Sequence, residues 1–283
     1  MNLCINIFIV NWHSADNLRL LLHSLVNSSD KNFRIIIVDN SESVREFSRV
    51  SNIAEEFEKF FSIKILQNIN NGYAGGNNKA YWYLEDNNIS GDILILNPDI
   101  RVSYSLIATL RSTLCNGVSV GGVMCRTVNS KNEVLYDKIV LDGLLQKYKI
   151  IDSNQQSTDY LAGSCMLLSR SAIEKVGFFE EEFFMYWEEV DLSLRMRAEG
   201  LALLTTRDTF IIRKDNPKSL RNRSYYYYVK NAFRMKKKKY CDNLNFFKFL
   251  FMLQLILIKE ILIYRNVSPF VHAIKGLISG IKL

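Results

Sequence analysis

The sequence predicts an α/β protein in which helices flank a mixed, mostly parallel sheet, with a basic helical extension at the C-terminus. Short apolar runs, each followed by a polar cluster, recur along the first 212 residues. Residues 213–283 instead hold 16 Lys plus Arg against 3 Asp plus Glu, a net charge of +13. We therefore expect one domain over residues 1–212, mildly acidic with a net charge of −6, and a basic, apolar tail over residues 213–283.

The expected elements follow one another in a regular order. Apolar runs predict strands near residues 5–10, 33–38, 63–66, 92–96, 118–125, 160–168 and 202–212. Helices are predicted near residues 14–27, 75–86, 103–114, 171–176 and 188–199 in the first part, and near 222–240, 245–264 and 269–281 in the tail.

Polar clusters stand where four of these strands end. Asn11 follows the first strand, residues 39–41 follow the second, the glycine-rich segment 70–78 follows the third, and residues 97–99 follow the fourth. Each cluster alone could be an ordinary turn. Because ligands of open α/β sheets bind at the carboxyl ends of strands, the recurrence predicts one shared cleft.

Residues 183–191 place three carboxylates inside an aromatic patch at the start of a predicted helix. Asp191 and Arg195 are four residues apart, so they can pair on one helix face, while Glu188 and Glu189 lie at the mouth. Like charges crowded beside aromatic rings raise one another's proton affinity, which can make a carboxylate a general base near neutral pH. The alternative is an acidic first turn stabilised by the helix dipole.

In order and spacing these motifs resemble the family 2 glycosyltransferases, and within them the non-processive, rhamnosyltransferase-like branch. The resemblance covers most of residues 5–200 and rests on VNW (10–12), VDNS (38–41), NGYAGGNN (71–78), LNPD (96–99), AGSC (162–165) and the acidic cluster with residues 192–197. It implies a GT-A fold and inverting transfer of a sugar, with rhamnose favoured, from a dTDP- or UDP-type donor to a saccharide acceptor in bacterial surface polysaccharide synthesis.

The resemblance also implies roles for individual residues. Glu189 falls where the family carries its catalytic base, with Glu188 and Asp191 ordering the site. Asp99 matches the last carboxylate of the family's metal-binding Asp-x-Asp motif, which suits Mg²⁺ or Mn²⁺. The implied donor-binding residues are Asn11, Asp39, Asn40, Asn71, Gly72, Gly75, Asn77, Asn97, Arg213 and Lys214. Gly163, Ser164, Tyr186 and Trp187 are implied on the sugar and acceptor side.

Two departures from the family pattern leave alternatives open. The chain reads Glu188-Glu189 where the family usually has Glu-Asp, and residues 211–219 lack the late His that often contacts metal or diphosphate. Arg213 or Lys214 could neutralise the diphosphate instead. A metal-independent enzyme, a degenerate transferase acting as a membrane-associated scaffold, and a nucleotidyltransferase remain as alternatives.

Cysteine usage and the amino terminus predict a cytoplasmic protein. The five cysteines are odd in number and show no CxxC spacing, which favours free thiols over a zinc site or disulfides. The first predicted strand begins within a few residues of Met1, so we expect no signal peptide.

The tail predicts a peripheral contact with the inner face of the plasma membrane. The polar residues of its middle helix spread around the helix and oppose a bilayer span. The lysine run at 236–239 attracts anionic lipid, which would bring the enzyme to a lipid-linked acceptor. The alternative is packing on the core or on a second subunit, which leaves a homo-oligomer open. We expect no nucleic-acid binding, because no such motif accompanies the basic charge and the tyrosines at 225–228.

Overall fold

The protein is described by a computed structural model over residues 4–115, 119–213, 222–238, 240 and 246–283. Lys214, and the element ends predicted at residues 118 and 245, lie outside these residues. In chain order the elements are β1 Ile5–Asn11, α1 Ala15–Val26, β2 Phe33–Asp39, α2 Val44–Phe57, β3 Ser62–Gln67, α3 Gly72–Asp86, β4 Ile93–Leu96, β5 Ile100–Val102, α4 Leu106–Cys115, β6 Val120–Val128, β7 Val134–Tyr136, β8 Lys138–Asp142, β9 Leu145–Lys149, β10 Gln155–Ser157, β11 Cys165–Leu168, α5 Arg170–Val176, a 3₁₀ turn Glu181–Phe183, α6 Glu188–Ala198, β12 Ala202–Arg213, α7 Asn222–Lys236, α8 Phe246–Tyr264 and α9 Ser268–Ile281.

A twisted mixed sheet forms the centre of the fold. Strands β4, β1, β2 and β3 are neighbours in that order and run parallel, while β11 pairs antiparallel with both β4 and β6. Beyond β6 lie β12, parallel to β6, and then β10. β1, β2 and β4 are almost entirely buried, as expected for parallel strands covered on both faces. The architecture confirms the predicted α/β class.

The structure differs from the predicted elements in several places, and the short strands β5, β7 and β10 are among the elements that were not predicted. Helix α2 and the hairpin β8–β9 were not predicted, and only Cys165–Leu168 of the strand expected over residues 160–168 is extended. The glycine-rich segment predicted as a loop before residue 75 is already the start of α3. Its glycines let α3 lie directly on the sheet, since a Cβ on Gly76 would come within 2.7 Å of Val10 Cγ1.

The C-terminal helices pack on the same core as the sheet. Tyr225, Val229 and Met235 of α7 and Phe249 of α8 belong to the buried cluster that contains Trp187. Among the described helices none combines the length and apolar character that crossing a bilayer requires. Cys4, Cys115, Cys125 and Cys165 are free thiols.

Candidate active site

The polar clusters that end the strands meet at one edge of the sheet. Asn11 at the end of β1 pairs in register with Asp39 at the end of β2. The amide N–H of Asn97, just after β4, donates to the carbonyl of Ser164 at 3.0 Å. Since β11 runs antiparallel to β4, the residues that precede β11 lie at the edge where β1, β2 and β4 end.

Asp39 is held by a buried hydrogen-bond network. Its Oδ1 accepts the amide of Asn11 at 2.8 Å and the hydroxyl of Ser41 at 2.6 Å. Asn11 is 0% exposed and Asp39 only 3%, so Asn11 lies in the interior and fixes the orientation of the Asp39 carboxylate through its hydrogen bond. Among the described residues no hydrogen bond to Asp39 Oδ2 is formed, which leaves this oxygen as the one suited to a ligand.

Glu46 on α2 extends this network and was missed by the sequence reasoning. Its Oε1 accepts the backbone N–H of Ala15, the first residue of α1, at 2.9 Å. Glu46 is 6% exposed, and its Oε2 accepts from Arg49 at 3.1 Å. A carboxylate at a helix N-terminus is favourable, so Glu46 fixes the start of α1 beside the loop that follows β1.

Asparagines fasten the start of α3 to the ends of β2 and β3. The Asn40 amide donates to the carbonyl of Gly72 at 2.9 Å, and the Asn68 amide donates to Asn40 Oδ1 at 3.0 Å and to Asn71 Oδ1 at 2.7 Å. The side chain of Asn71 lies over the first turn, where a Cβ on Gly75 would come within 2.1 Å of Asn71 Cγ.

Asn77 does not reach this surface. It is fully buried within α3 and its amide donates to the carbonyl of Tyr73 at 2.9 Å. The assignment of Asn77 to direct donor contact is therefore wrong, because the expected loop is a helix whose inner face holds this residue.

Glu188 and Glu189 begin α6 and come close to the strand-end edge. A Cβ placed on Gly163 would lie 3.8 Å from Glu189 Cγ and 3.4 Å from the Tyr73 hydroxyl. That hydroxyl donates to the carbonyl of Gly163 at 2.5 Å. Within the described part of the chain, Glu188 Oε2, Glu189 Oε2 and Ser164 Oγ are buried without a hydrogen-bond partner.

Burial raises the proton affinity of both glutamates. It raises the pKa of Glu189 from 4.5 to about 7, although a hydrogen bond from its own backbone opposes the rise. Burial, and then the charges of Glu189 and Asp191, hold the pKa of Glu188 well above its usual value. The predicted direction is confirmed, but burial rather than like charge is the larger cause.

Asp191 is engaged in structural contacts. It is 0% exposed, its Oδ2 accepts Arg195 Nε at 2.9 Å, and its Oδ1 accepts the hydroxyl of Tyr240. Arg195 also donates to the carbonyl of Val176 at 2.6 Å and that of Phe178 at 2.7 Å. The predicted Asp191–Arg195 pair is confirmed, and it ties α6 to the chain after α5.

Trp187 belongs to the core. Its ring is 1% exposed, its indole N–H donates to the carbonyl of Tyr228 at 2.9 Å, and it packs edge-on against Phe249. Its assignment to the acceptor side is therefore wrong, because no face of the indole is open to a sugar. Tyr186, by contrast, is part-exposed.

Tyrosines line the space around the two glutamates, and Tyr148 and Tyr160 among them were not predicted. Tyr148 is 53% exposed, so partial burial, together with the neighbouring Tyr136 and Glu189, raises its pKa, and the charge of Arg213 opposes this rise. Burial, with smaller contributions from Glu188 and Glu189, also raises the pKa of Tyr186, again opposed by Arg213. Arg213 therefore supplies positive charge near the tyrosines that lie around Glu188 and Glu189.

Asp99 offers one carboxylate for a metal. It lies part-exposed in the turn between β4 and β5. No group of three or more His, Cys, Asp or Glu that could hold a metal occurs in the residues that the structure describes. One accessible carboxylate still fits Mg²⁺ or Mn²⁺, since these ions bind through one or two carboxylates together with substrate phosphates.

Comparison with known proteins identifies the family. The model of glycosyl transferase family 2 matches residues 6–177. Rhamnosyltransferase WbbL of Escherichia coli K12 is 28% identical over 261 residues, 85% of this chain and 96% of its own. Hexosyltransferase Agl10 of low-salt glycan biosynthesis in Haloferax volcanii is 27% identical over 208 residues, 70% of this chain and 62% of its own, so the chain spans less than two thirds of that relative.

The fold is shared with a solved glycosyltransferase. The crystal structure of GalNAc-T7 with UDP, GalNAc and Mn²⁺ superposes with a TM-score of 0.67 at 12% identity, over 84% of this chain and 49% of that one. The mixed sheet is thus of the GT-A type. With the family match over residues 6–177, this shows that the chain belongs to glycosyltransferase family 2.

Proposed function

We propose that the protein is an inverting, non-processive glycosyltransferase that moves a hexosyl group, with rhamnose favoured, from a nucleoside diphosphate sugar to a saccharide acceptor. The observation that carries the proposal is Glu189, which is part-exposed but whose Oε2 is buried without a partner among the described residues, and whose pKa is about 7. A buried carboxylate without a partner is unfavourable unless a proton or a ligand satisfies it. The position of Glu189 Cγ, 3.8 Å from where a Cβ on Gly163 would lie, supports this proposal, because Gly163 lies at the edge where β1, β2 and β4 end.

The proposed reaction is a single displacement. Glu189 accepts the proton of an acceptor hydroxyl while the hydroxyl oxygen attacks the anomeric carbon of the donor. The bond between that carbon and the diphosphate oxygen breaks, and the electron pair leaves with the nucleoside diphosphate. Attack on the face opposite the leaving group inverts the anomeric centre.

The donor is proposed to lie along the ends of β1, β2 and β4. Asp39 Oδ2 would accept hydrogen bonds from the nucleoside of a dTDP- or UDP-type donor, and Asn71, Gly72, Gly75 and Asn97 would border it. When bound, Mg²⁺ or Mn²⁺ supplies charge that neutralises the leaving diphosphate, and Asp99 is the residue that would hold it. Arg213 adds positive charge from the protein itself.

The acceptor is proposed to be lipid-linked and to be met at an anionic membrane surface. One stripe of α8 buries Phe249, Leu253 and Leu257 against the core, while Phe247 is 81% and Leu262 74% exposed on the opposite face. The exposed face of α9 is apolar as well, at Val271, Ile274, Ile278 and Ile281. Exposed lysines at residues 237, 259 and 282 accompany these faces, which suits insertion into the headgroup region of anionic lipid.

A thermal-shift titration tests donor and metal binding. The purified protein is titrated with dTDP, UDP, GDP and CMP, in Mn²⁺ and again in EDTA. At 100 times the Kd, a ligand stabilises the native state by about 2.7 kcal/mol. We expect dTDP or UDP to raise the midpoint in Mn²⁺, and expect Asp99→Asn to remove the Mn²⁺-dependent part.

The matched control is Asp86→Asn. Asp86 is an exposed carboxylate at the last residue of α3, far along the helix from the strand-end edge. If stabilisation survives EDTA, diphosphate binding shifts to cationic side chains such as Arg213. If no nucleotide raises the midpoint, the proposal fails in favour of a degenerate, non-enzymatic scaffold.

A further inference from the structure

The segment that leads into α6 has an unusual backbone. Phe184, Tyr186 and Trp187 adopt φ angles of +53°, +68° and +77°. Bulky residues rarely occupy this region, and they remain there only where surrounding contacts hold them. Because Glu188 and Glu189 follow at once, whatever holds residues 183–187 also sets the place of both carboxylates.

Asn231 of α7 contacts this segment at three points. Its side-chain amide lies 2.6 Å from the carbonyl oxygen of Phe183, 2.9 Å from that of Met185 and 3.1 Å from that of Tyr186. An amide has only two hydrogens, so one of them is shared between two carbonyls. Asn231 is 0% exposed, which makes the loss of these donors unfavourable for the carbonyls they satisfy.

Other residues of α7 fasten the two ends of the same segment. The carbonyl of Tyr228 accepts the indole N–H of Trp187 at 2.9 Å, and Arg234 donates to the carbonyl of Glu182 at 2.6 Å. On the opposite side, the backbone N–H of Tyr73 donates to the carbonyl of Phe184 at 2.7 Å. The segment is thus held between α3 and α7.

We propose that Asn231 is a positioning residue for glycosyl transfer: by holding the carbonyls of residues 183, 185 and 186, it keeps the Glu189 carboxylate at the edge beside Gly163. The basic tail thereby completes the active site of the domain that precedes it. The expected fall in kcat when Asn231 is replaced rests on the proposed role of Glu189 as the base. The expected loosening of residues 183–189 does not depend on that role.

Asn231→Ala removes the donors, and Asn6→Ala is a closely matched control. Asn6 is also 0% exposed, and its amide also donates to three backbone carbonyls, those of Ser90, Gly91 and Asp92. It lies at the other end of β1, away from the site. Arg234→Ala is a milder second variant for use if Asn231→Ala does not fold.

Hydrogen exchange of the whole chain, followed by mass spectrometry, is the primary measurement. We expect Asn231→Ala to speed exchange in peptides covering residues 183–189 by tenfold or more, with little change in β1 and β4. Asn6→Ala should instead speed exchange near residues 90–92 only. Arg234→Ala should act on residues 183–189 in the same direction as Asn231→Ala, but less.

Turnover supplies the second measurement, with nucleoside diphosphate released from dTDP-rhamnose, UDP-N-acetylglucosamine or GDP-mannose as the signal. We expect Asn231→Ala to lower kcat at least tenfold while the donor KM changes less than twofold. The rise of kcat with pH should also move to lower pH, because water that reaches Glu189 favours its charged form. Asn6→Ala should show neither effect.

The outcomes separate this proposal from the proposed function. Unchanged exchange at residues 183–189 in Asn231→Ala, or equal acceleration there in Asn6→Ala, overturns the positioning role. If exchange changes as expected but Glu189→Gln turns over normally, the positioning role stands and Glu189 is not the base.

Discussion

Glu189 is part-exposed, but its Oε2 is buried without a partner among the described residues, and its pKa is raised to about 7. The sequence placed it correctly at the start of a helix amid aromatic residues. It did not reveal that burial would be the main cause of the raised pKa, because the groups near Glu189, such as Gly163 and the Tyr73 hydroxyl, come from other parts of the chain and meet only in the folded protein. Trp187 was misplaced for the same reason, since its indole partner lies on α7.

The raised pKa of Glu189 has a consequence for stability. Below pH 4.5 the group is protonated in both the folded and the unfolded state. Between pH 4.5 and about 7 the unfolded chain has released the proton while the folded protein holds it, so the free energy of unfolding falls as pH rises. Above that window the full destabilisation, on the order of 3 kcal/mol, is present.

Glu189→Gln should remove this destabilisation. We expect the variant to match the wild type at pH 4 and to be more stable at pH 8 by roughly 3 kcal/mol, measured by urea unfolding. Glu58→Gln is the control, because Glu58 is exposed at the end of α2 and takes no part in holding residues 183–189. Equal stabilities at both pH values would mean that Glu189 has an ordinary pKa.

At the scale of elements, helix α2 and the β8–β9 hairpin were not predicted although short sequence motifs mark them, whereas the contact made by α7 has no such motif. Ser43 and Glu46 have the spacing of a capping box, and Ser43 Oγ accepts the Glu46 N–H at 3.3 Å, so α2 was predictable. Asp142-Gly143 marks the turn of the β8–β9 hairpin, with Gly143 at φ +67°. The contact of α7 with residues 183–187 has no local signal, because it depends on tertiary packing.

The start of α3 also makes a tertiary contact that no local motif marks, where Gly72 approaches the carbonyl of Phe184. A substitution at Gly72 tests how tight this contact is. This residue has φ +85°, and a Cβ there would lie 1.9 Å from the carbonyl oxygen of Phe184. We expect Gly72→Ala to cost about 3 kcal/mol or more of stability and to lower turnover, because it displaces the segment before Glu189.

Gly200→Ala is the control for this change. Gly200 has φ +75° and open space around it, so only backbone strain of about 1 kcal/mol should result. Thermal or urea unfolding of both variants measures the difference. Similar losses of stability would show that the contact between α3 and Phe184 is not tight.

At the scale of the whole molecule, the basic charge of the C-terminal tail lies on helices that have two different faces. The tail packs one side on the core and leaves the other side apolar, with exposed lysines close by. The sequence predicted the helices and their basic charge, but whether they pack inward or lie on lipid needed the three-dimensional arrangement. The structure shows that the inner faces pack, and we propose that the outer faces meet the membrane.

Membrane association can be measured by sedimentation with vesicles of phosphatidylcholine with or without phosphatidylglycerol. We expect binding only to the anionic vesicles, and expect the double change Phe247→Ser and Phe251→Ser to weaken it at least about tenfold, since each phenyl ring loses insertion energy of order 1 kcal/mol. Phe60→Ser, which alters a 49% exposed ring elsewhere, should leave binding unchanged. Equal weakening by Phe60→Ser would contradict the assignment of this face.

The most direct test of the account is the turnover of Glu189→Gln. The donor is the nucleotide sugar whose nucleotide stabilises the protein, the acceptor is a lipid-linked saccharide of the proposed class, and released nucleoside diphosphate is measured. We expect kcat to fall by about 10²–10⁴ while the donor-induced thermal shift is retained, with the exposed Glu58→Gln near wild type. Turnover of Glu189→Gln within a few-fold of wild type would contradict the central claim that this buried carboxylate is the base.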